Sequence, residues 1–227
     1  MKLSEFITRF KALKAKGFVP SKRKGPTGVG HSLEVYLGLK ENNIALPDLK
    51  EAEIKGHRTG VTSMITLFTF NRKVWKMSPL EAIKKHGSLD KNGRKGLYYT
   101  MSLKPNSAGL FLNVTNTDLS VRHISGEIVT TWQMEDVMKR FIQKFPALVL
   151  VSAFTEERDG KEYFHFYRAQ LMQGTSPELL ADQFRAGTIL VDLRLHDKGT
   201  KGARNHGTGF RTYEDKLPYL FSKITDL

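Results

Sequence analysis

Asp48, Glu53 and Lys55 fall within one short stretch, Pro47-Asp-Leu-Lys-Glu-Ala-Glu-Ile-Lys55. Two carboxylates and a lysine at this spacing suit metal-assisted attack on a phosphodiester. If residues 51 to 58 are extended, alternation puts Glu51, Glu53, Lys55 and His57 on one face and Ala52, Ile54 and Gly56 on the other. The first face then meets solvent or substrate while the second enters a core. Asp48, just ahead of the strand, can bring its carboxylate to the same metal as Glu53. Mg²⁺ favours such hard oxygen ligands and keeps waters for chemistry. Lys55 could activate an attacking water or stabilise charge developing on phosphate. The pattern alone is degenerate, and a solvated strand edge is its competing reading.

The elements that must position these residues are legible from periodicity. Leu3, Phe6, Ile7, Phe10 and Leu13 recur at helical spacing, with Gly17 as a stop. A basic, glycine-rich loop runs from Lys22 to Gly28, and a second helix is expected over about 29 to 41. There Gly30, Glu34, Gly38 and Glu41 form one stripe, and the two glycines leave room for a chain or ligand beside the Glu34 carboxylate. Ser63 to Phe70 reads as a central strand buried on both faces. Ser78-Pro79-Leu80-Glu81 is a capping box opening a short helix. Strand-like segments at about 96–103, 109–115, 118–124 and 127–132 suggest an antiparallel meander. A helix near 134–145, a buried strand Ala147–Phe154, a strand Glu162–Met172, a helix from Ser176-Pro177 to Gly187 and a strand Thr188–Leu195 complete the series. The expected fold is mixed α/β, a central mixed sheet flanked by helices, with two lobes around a cleft.

Composition bounds the partners. The chain of 227 residues is 40% hydrophobic and 10% aromatic, enough for a packed core. It has no cysteine, which excludes a disulfide framework, Cys-ligated zinc and thiol catalysis. No segment reaches membrane-spanning length and the N-terminus lacks a signal peptide's apolar run, so a cytoplasmic protein is expected. Lys+Arg number 36 against 23 Asp+Glu, a net +13. Eight of these cations lie in residues 1–24 beside the single acid Glu5, and a second basic segment runs from Arg194 to Arg211. This distribution points to a polyanion, nucleic acid before any other. His31, His57, His86, His123, His165 and His196 pair with nothing evident, and Trp75 and Trp132 read as core or rim.

Lys24-Gly-Pro-Thr-Gly-Val-Gly-His-Ser-Leu-Glu34, followed by Pro47-Asp48 and Glu53-Ile54-Lys55, resembles the MvaI/BcnI restriction endonucleases. These are MutH-like members of the PD-(D/E)xK nuclease superfamily. Ile65-Thr66-Leu67-Phe68-Thr69 looks like that family's central strand. Val191-Asp192-Leu193-Arg194 and His206-Gly207-Thr208-Gly209-Phe210-Arg211 look like its base-reading region, nearer to the MvaI branch. The matches run from about residue 22 to 211, with 71 to 147 only loosely alike.

The resemblance implies one nuclease domain over 1–227, with a catalytic lobe mainly in 1–90 and a recognition lobe mainly in 91–227. It implies that Asp48 and Glu53 ligate Mg²⁺, that Lys55 serves the attacking water, and that Glu34 completes the acidic pocket directly or through water. Arg194 and Arg211 match positions that read G·C pairs, His206 one near the centre of the site, and Arg204 a polar reader; Lys198, Lys201, Lys22, Arg23 and Lys24 would meet phosphates. The implied activity is type II cleavage of double-stranded DNA at a short CCNGG-like site, first of all CC(A/T)GG. It would be carried out by a monomer whose host also has a companion methyltransferase. A methyl-directed MutH-like nickase and a catalytically inactive DNA-binding module are the alternatives.

Overall fold

Runs of alternating and continuous hydrophobicity fold this chain into three sheets and their covering helices. The computed structural model describes residues 1–39, 48–49, 51–61, 64–71 and 73–227. The chain opens with α1 (Leu3–Ala15), β1 (Val19–Pro20), α2 (Gly28–Leu37), β2 (Glu53–Arg58) and β3 (Met64–Thr69). Next come α3 (Pro79–His86), β4 (Ser88–Leu89), β5 (Lys95–Met101), β6 (Leu110–Val114), β7 (Asp118–His123) and β8 (Ile128–Gln133). The remainder is α4 (Met134–Lys144), β9 (Ala147–Arg158), β10 (Lys161–Gln173), α5 (Pro177–Arg185), β11 (Leu190–Asp197), β12 (Ala203–Asn205), β13 (Gly209–Tyr213) and β14 (Lys223–Asp226). No helix among the described residues is long and apolar enough to cross a membrane.

Two compact units share the chain. The first comprises Met1–Ser63, Ile142–Ser176 and Pro218–Leu227; the second comprises Met64–Phe141 and Pro177–Leu217. The units thus interleave in sequence, unlike a linear division near residue 90. The reason is visible in the pairing: among the described residues β2 finds its only ladder partner in β9, far along the chain.

In the first unit the sheet runs β1-β10-β9-β2, with β14 also on β10. β2 and β9 are parallel, Glu53 opposite Leu148 and Lys55 opposite Leu150. β9 begins Ala-Leu-Val-Leu-Val-Ser-Ala, all buried, as a strand covered on both faces requires. It is β9, not the segment at 63–70, that fills the central place beside the motif strand. α1 lays Phe6, Phe10 and Leu13 on one side of this sheet, and α2 adds Leu33 and Leu37 over Ile54, Val149, Val151, Phe164 and Phe166. Each such side chain contributes about 1.5–3 kcal/mol on burial.

α2 stops earlier than its stripe suggests. Gly38 adopts φ 68°, its neighbour Leu39 donates to the Glu34 carbonyl, and the chain leaves the helix after Leu37. Gly38 is therefore a terminator and not part of a ligand-facing stripe; Lys40, Glu41 and Pro47 lie outside the described residues. Gly56 makes room for α2, since a Cβ on it would sit 3.2 Å from Gly30 Cα, whereas a Cβ on Gly30 would meet nothing within 4 Å.

In the second unit, one sheet runs β3-β13-β11-β5-β4 with β12 on β11, and β6-β7-β8 form a separate antiparallel meander. The expected four-strand meander is thus three strands, because β5 leaves to pair with β11. β3 is an edge strand with only Leu67 and Phe68 buried, which corrects its reading as a central strand; Ser63 lies outside the described residues. Ser78 Oγ accepts from the Glu81 N–H at 3.1 Å and starts α3 as its capping box requires. Trp132 is buried and donates to the Phe70 carbonyl.

Candidate active site and basic faces

Asp48 reaches β2 through a tight turn. Leu49 N donates to the Ala52 carbonyl at 2.9 Å, and Asp48 Oδ2 accepts from the Ile54 N–H at 3.0 Å. That N–H lies on the open side of an edge strand, so the carboxylate both caps the edge and is anchored beside Glu53.

Glu53 is the centre of the cluster. Its side chain is 3% exposed; Oε1 lies 2.9 Å from Lys55 Nζ and Oε2 lies 2.8 Å from Lys144 Nζ. Burial pushes its pKa above the ordinary carboxylate value and the Asp48 charge adds to this, while Lys55 and Lys144 pull it back. His57, two positions beyond Lys55, is buried, and burial with the Arg58 charge holds its pKa below the usual value. The expected open face is therefore closed: Glu53 and His57 are buried, Lys55 is half-buried, and Glu51 lies outside the strand. The lysine on the last position of α4 covers what alternation left to solvent. Glu34 is half-buried on α2, which packs on the Ile54–Gly56 side of the strand, opposite Glu53.

The Lys22-Arg23-Lys24 loop is exposed in the same unit. Its base is fixed by Ser32, inside the quoted motif, and by Arg58 and Glu162, which no motif indicated. Ser32 Oγ accepts from the Lys22 N–H at 2.8 Å. Arg58 donates to both Glu162 oxygens, at 2.7 and 2.8 Å, and to the carbonyls of Pro26 and Gly25. A Cβ at Gly28 would meet the Arg23 carbonyl at 2.4 Å, so the loop's turn needs that glycine.

The second unit carries a polar sheet face. Along β11, Val191, Leu193 and Leu195 enter the core, while Asp192, Arg194 and His196 point to the other side. Their partners across the sheet are Thr100, Tyr98 and Gly96 on β5, with Arg204 opposite His196 on β12. Arg194 Nε donates to the Gly207 carbonyl at 3.2 Å. Arg211 Nη1 donates to Asp192 Oδ2 at 2.5 Å and Nη2 to the Met64 carbonyl at 2.7 Å, while Thr100 Oγ1 donates to Asp192 Oδ1. Arg211 is thus held in place by Asp192 and the Met64 carbonyl. Arg204, His206, Lys198 and Lys201 are exposed.

Two further groups join this face. His196 Nδ1 lies 2.9 Å from Tyr98 Oη and 3.1 Å from His206 Nε2. Desolvation, with the charges of Arg204, His196 and Arg194 behind it, holds the His206 pKa below its usual value. The signal for Asp192 and His196 was present in the strict apolar–polar alternation of residues 191–196; nothing in the sequence singled out Tyr98 or Lys144.

A half-buried Asp48, a buried Glu53 and a half-buried Lys55 thus stand together at one end of an edge strand. A sequence model of the MvaI/BcnI restriction endonuclease family matches residues 7–221, and the chain belongs to that family. It is a restriction endonuclease by membership. Among solved structures it is similar to restriction endonuclease MvaI in complex with its cognate DNA substrate, at 23% identity and a TM-score of 0.81 over 100% of this chain and 99% of that one. It is also similar to MvaI in the absence of DNA, at 22% identity and a TM-score of 0.56 over 99% and 96%. No curated protein matches by sequence.

Proposed function

We propose that this chain is a type II restriction endonuclease that hydrolyses double-stranded DNA with Mg²⁺ at a short CCNGG-like site, CC(A/T)GG first. The observation that carries the reading is the assembly of Asp48, Glu53 and Lys55 at one end of β2. The likeness to MvaI, whose structure was solved with cognate DNA, supports a duplex substrate.

Asp48 and Glu53 fit a Mg²⁺ ion. Among the described residues no cluster of three or more His, Asp or Glu forms a cage. Mg²⁺ does not need one, since it binds through one or two carboxylates and keeps several waters. The Asp48 charge disfavours ionised Glu53, and a cation held by both carboxylates would relieve that repulsion. When bound, Mg²⁺ supplies Lewis-acid stabilisation of phosphate charge and an acidified water. Lys55 would orient the attacking water or balance the charge developing on the phosphate, and Glu34 would complete the acidic pocket directly or through water. Arg194, Arg204 and His206 read base edges, with Arg211 held by Asp192 beside them. Lys22, Arg23, Lys24, Lys198 and Lys201 meet phosphates. The protein acts as a cytoplasmic monomer that cuts the strands in turn, with a companion methyltransferase protecting host DNA.

Plasmid incubated with purified protein and Mg²⁺, beside Asp48→Ala, tests this. Discrete fragments that vanish in the variant, with CC(A/T)GG at the sequenced ends, are expected. Binding without cutting by the wild type overturns the enzymatic reading, and nicking only in the presence of an activating partner identifies a methyl-directed nickase instead.

A further inference from the structure

Glu53 is held by two ammonium groups, and only one belongs to the motif. Lys55 follows it on the strand. Lys144 arrives from elsewhere in the chain as the last residue of α4, three positions before β9 begins. Because Glu53 pairs with Leu148 in the parallel ladder, the same pairing that builds the sheet fixes Lys144 over Oε2. The contact is well shielded: the Lys144 side chain is 19% exposed and that of Glu53 3%.

Charge counting shows what this arrangement does. Asp48 and Glu53 carry two negative charges, Lys55 and Lys144 two positive ones, so the cluster is neutral as it stands. A dication entering alone would leave a shielded group of charges at a net +2, and Lys144 competes with it for the lone pairs of Oε2. Removing charges from water is costly unless they are compensated. A DNA phosphate brings compensating charge and three-donor lysine ammonium is a ready phosphate ligand.

Resting on the catalytic reading above, we propose that Lys144 is a positioning residue that guards Glu53 in the DNA-free protein and passes to a phosphate oxygen when DNA enters. Metal and DNA then bind cooperatively, and neither loads the site fully alone. By linkage, each raises the affinity of the other by the same factor.

The test is calorimetric titration of the full chain with Ca²⁺, a dication that also takes oxygen ligands, with and without a duplex containing CCAGG, at one fixed pH. The wild type is expected to bind Ca²⁺ about tenfold more tightly with the duplex than without it. Lys144→Gln should bind Ca²⁺ more tightly than wild type in the absence of DNA, and its gain from DNA should shrink to about threefold or less. Lys144→Arg keeps the charge and should keep most of the gain. Lys144→Met replaces the glutamine variant if that one does not melt cooperatively. Equal Ca²⁺ affinity of wild type and the uncharged variant without DNA, or an undiminished gain with it, overturns the proposal. Glu53→Gln binding Ca²⁺ as well as wild type instead overturns the assignment of Glu53 as a ligand, which is a separate failure.

Discussion

Arg211 Nη1 donates to Asp192 Oδ2 at 2.5 Å, so an arginine that the sequence offers as a base reader is already paired with a buried carboxylate. Asp192 is 8% exposed and Arg211 23% in their side chains. Removing the arginine leaves a shielded charge with Thr100 Oγ1 as its side-chain donor. Arg211→Ala is expected to lower stability by about 2–3 kcal/mol, less than the ~3–5 kcal/mol for a fully buried pair because Arg211 keeps some solvent. Asp192→Ala with Arg211→Ala should recover much of this loss. Denaturant unfolding of the two single variants and the double variant measures the coupling, and additive losses would show that the pair is not an energetic unit.

What the sequence made legible and what it hid divide along physical lines. Continuous apolar runs and helical stripes placed α1, β9, β10 and α5 correctly because their burial is written in their own residues. The placement of Met64–Thr69 failed because an apolar run does not tell an edge from a centre; that depends on which strands arrive beside it. The end of α2 was decided by one αL glycine inside an otherwise continuous stripe. Asp48, Glu53 and Lys55 are close in the chain and so could be read together. Lys144 is distant from them in sequence, and the β2–β9 ladder brings it in.

Glu53 sets a pH dependence of known sign. Its folded pKa lies above 4.5, chiefly through burial and further through Asp48. Stability from its bound proton is fully present below the unfolded value and is lost as pH rises through the folded value. For the proposed metal site the sign is reversed, since a proton on Glu53 would exclude a cation. Mn²⁺ affinity is expected to fall as pH drops through a window above the ordinary carboxylate range. In Lys144→Gln the window moves higher, because Lys144 is one of the groups lowering that pKa. Titrations across pH, followed by the loss of the free Mn²⁺ signal, check both; a limb at or below the ordinary value in wild type contradicts the assignment.

His206 owes its orientation to a ring behind it. Tyr98 Oη and His206 Nε2 both aim at His196 Nδ1, so Tyr98 and His196 are positioning residues for the exposed imidazole. Tyr98→Phe and His196→Gln are each expected to erode discrimination at the base pair His206 reads by about 1 kcal/mol, the lower end of a base contact. The salt slope of DNA binding should not change, because no phosphate contact is lost. Ratios of kcat/KM on duplexes differing at the central pair, with binding measured across salt concentrations, separate these effects. A uniform fall on all sequences would indicate a general loss of structure instead.

Gly56 lies between the two motif residues Glu53 and Lys55 on one side and Arg58 on the other, and it is where α2 touches the strand. A Cβ there would stand 3.2 Å from Gly30 Cα, 3.3 Å from Leu33 Cδ2 and 3.4 Å from Gly30 N. Two of these three neighbours are backbone atoms of a helix that cannot rotate away, so the helix must move as a body. Gly56→Ala is expected to cost about 1–3 kcal/mol, the usual range for an overfilled core. Cleavage should fall with it, because the shift acts on the strand that carries Glu53 and Lys55. Gly30→Ala is the control, since its own Cβ would meet nothing within 4 Å and alanine favours a helix over glycine by about 0.5–1 kcal/mol. Thermal melting of the two variants should therefore shift in opposite directions. Equal destabilisation would mean that helix α2 tolerates no change at this contact, and a harmless Gly56→Ala would show that the backbone approach is not what seats the motif strand.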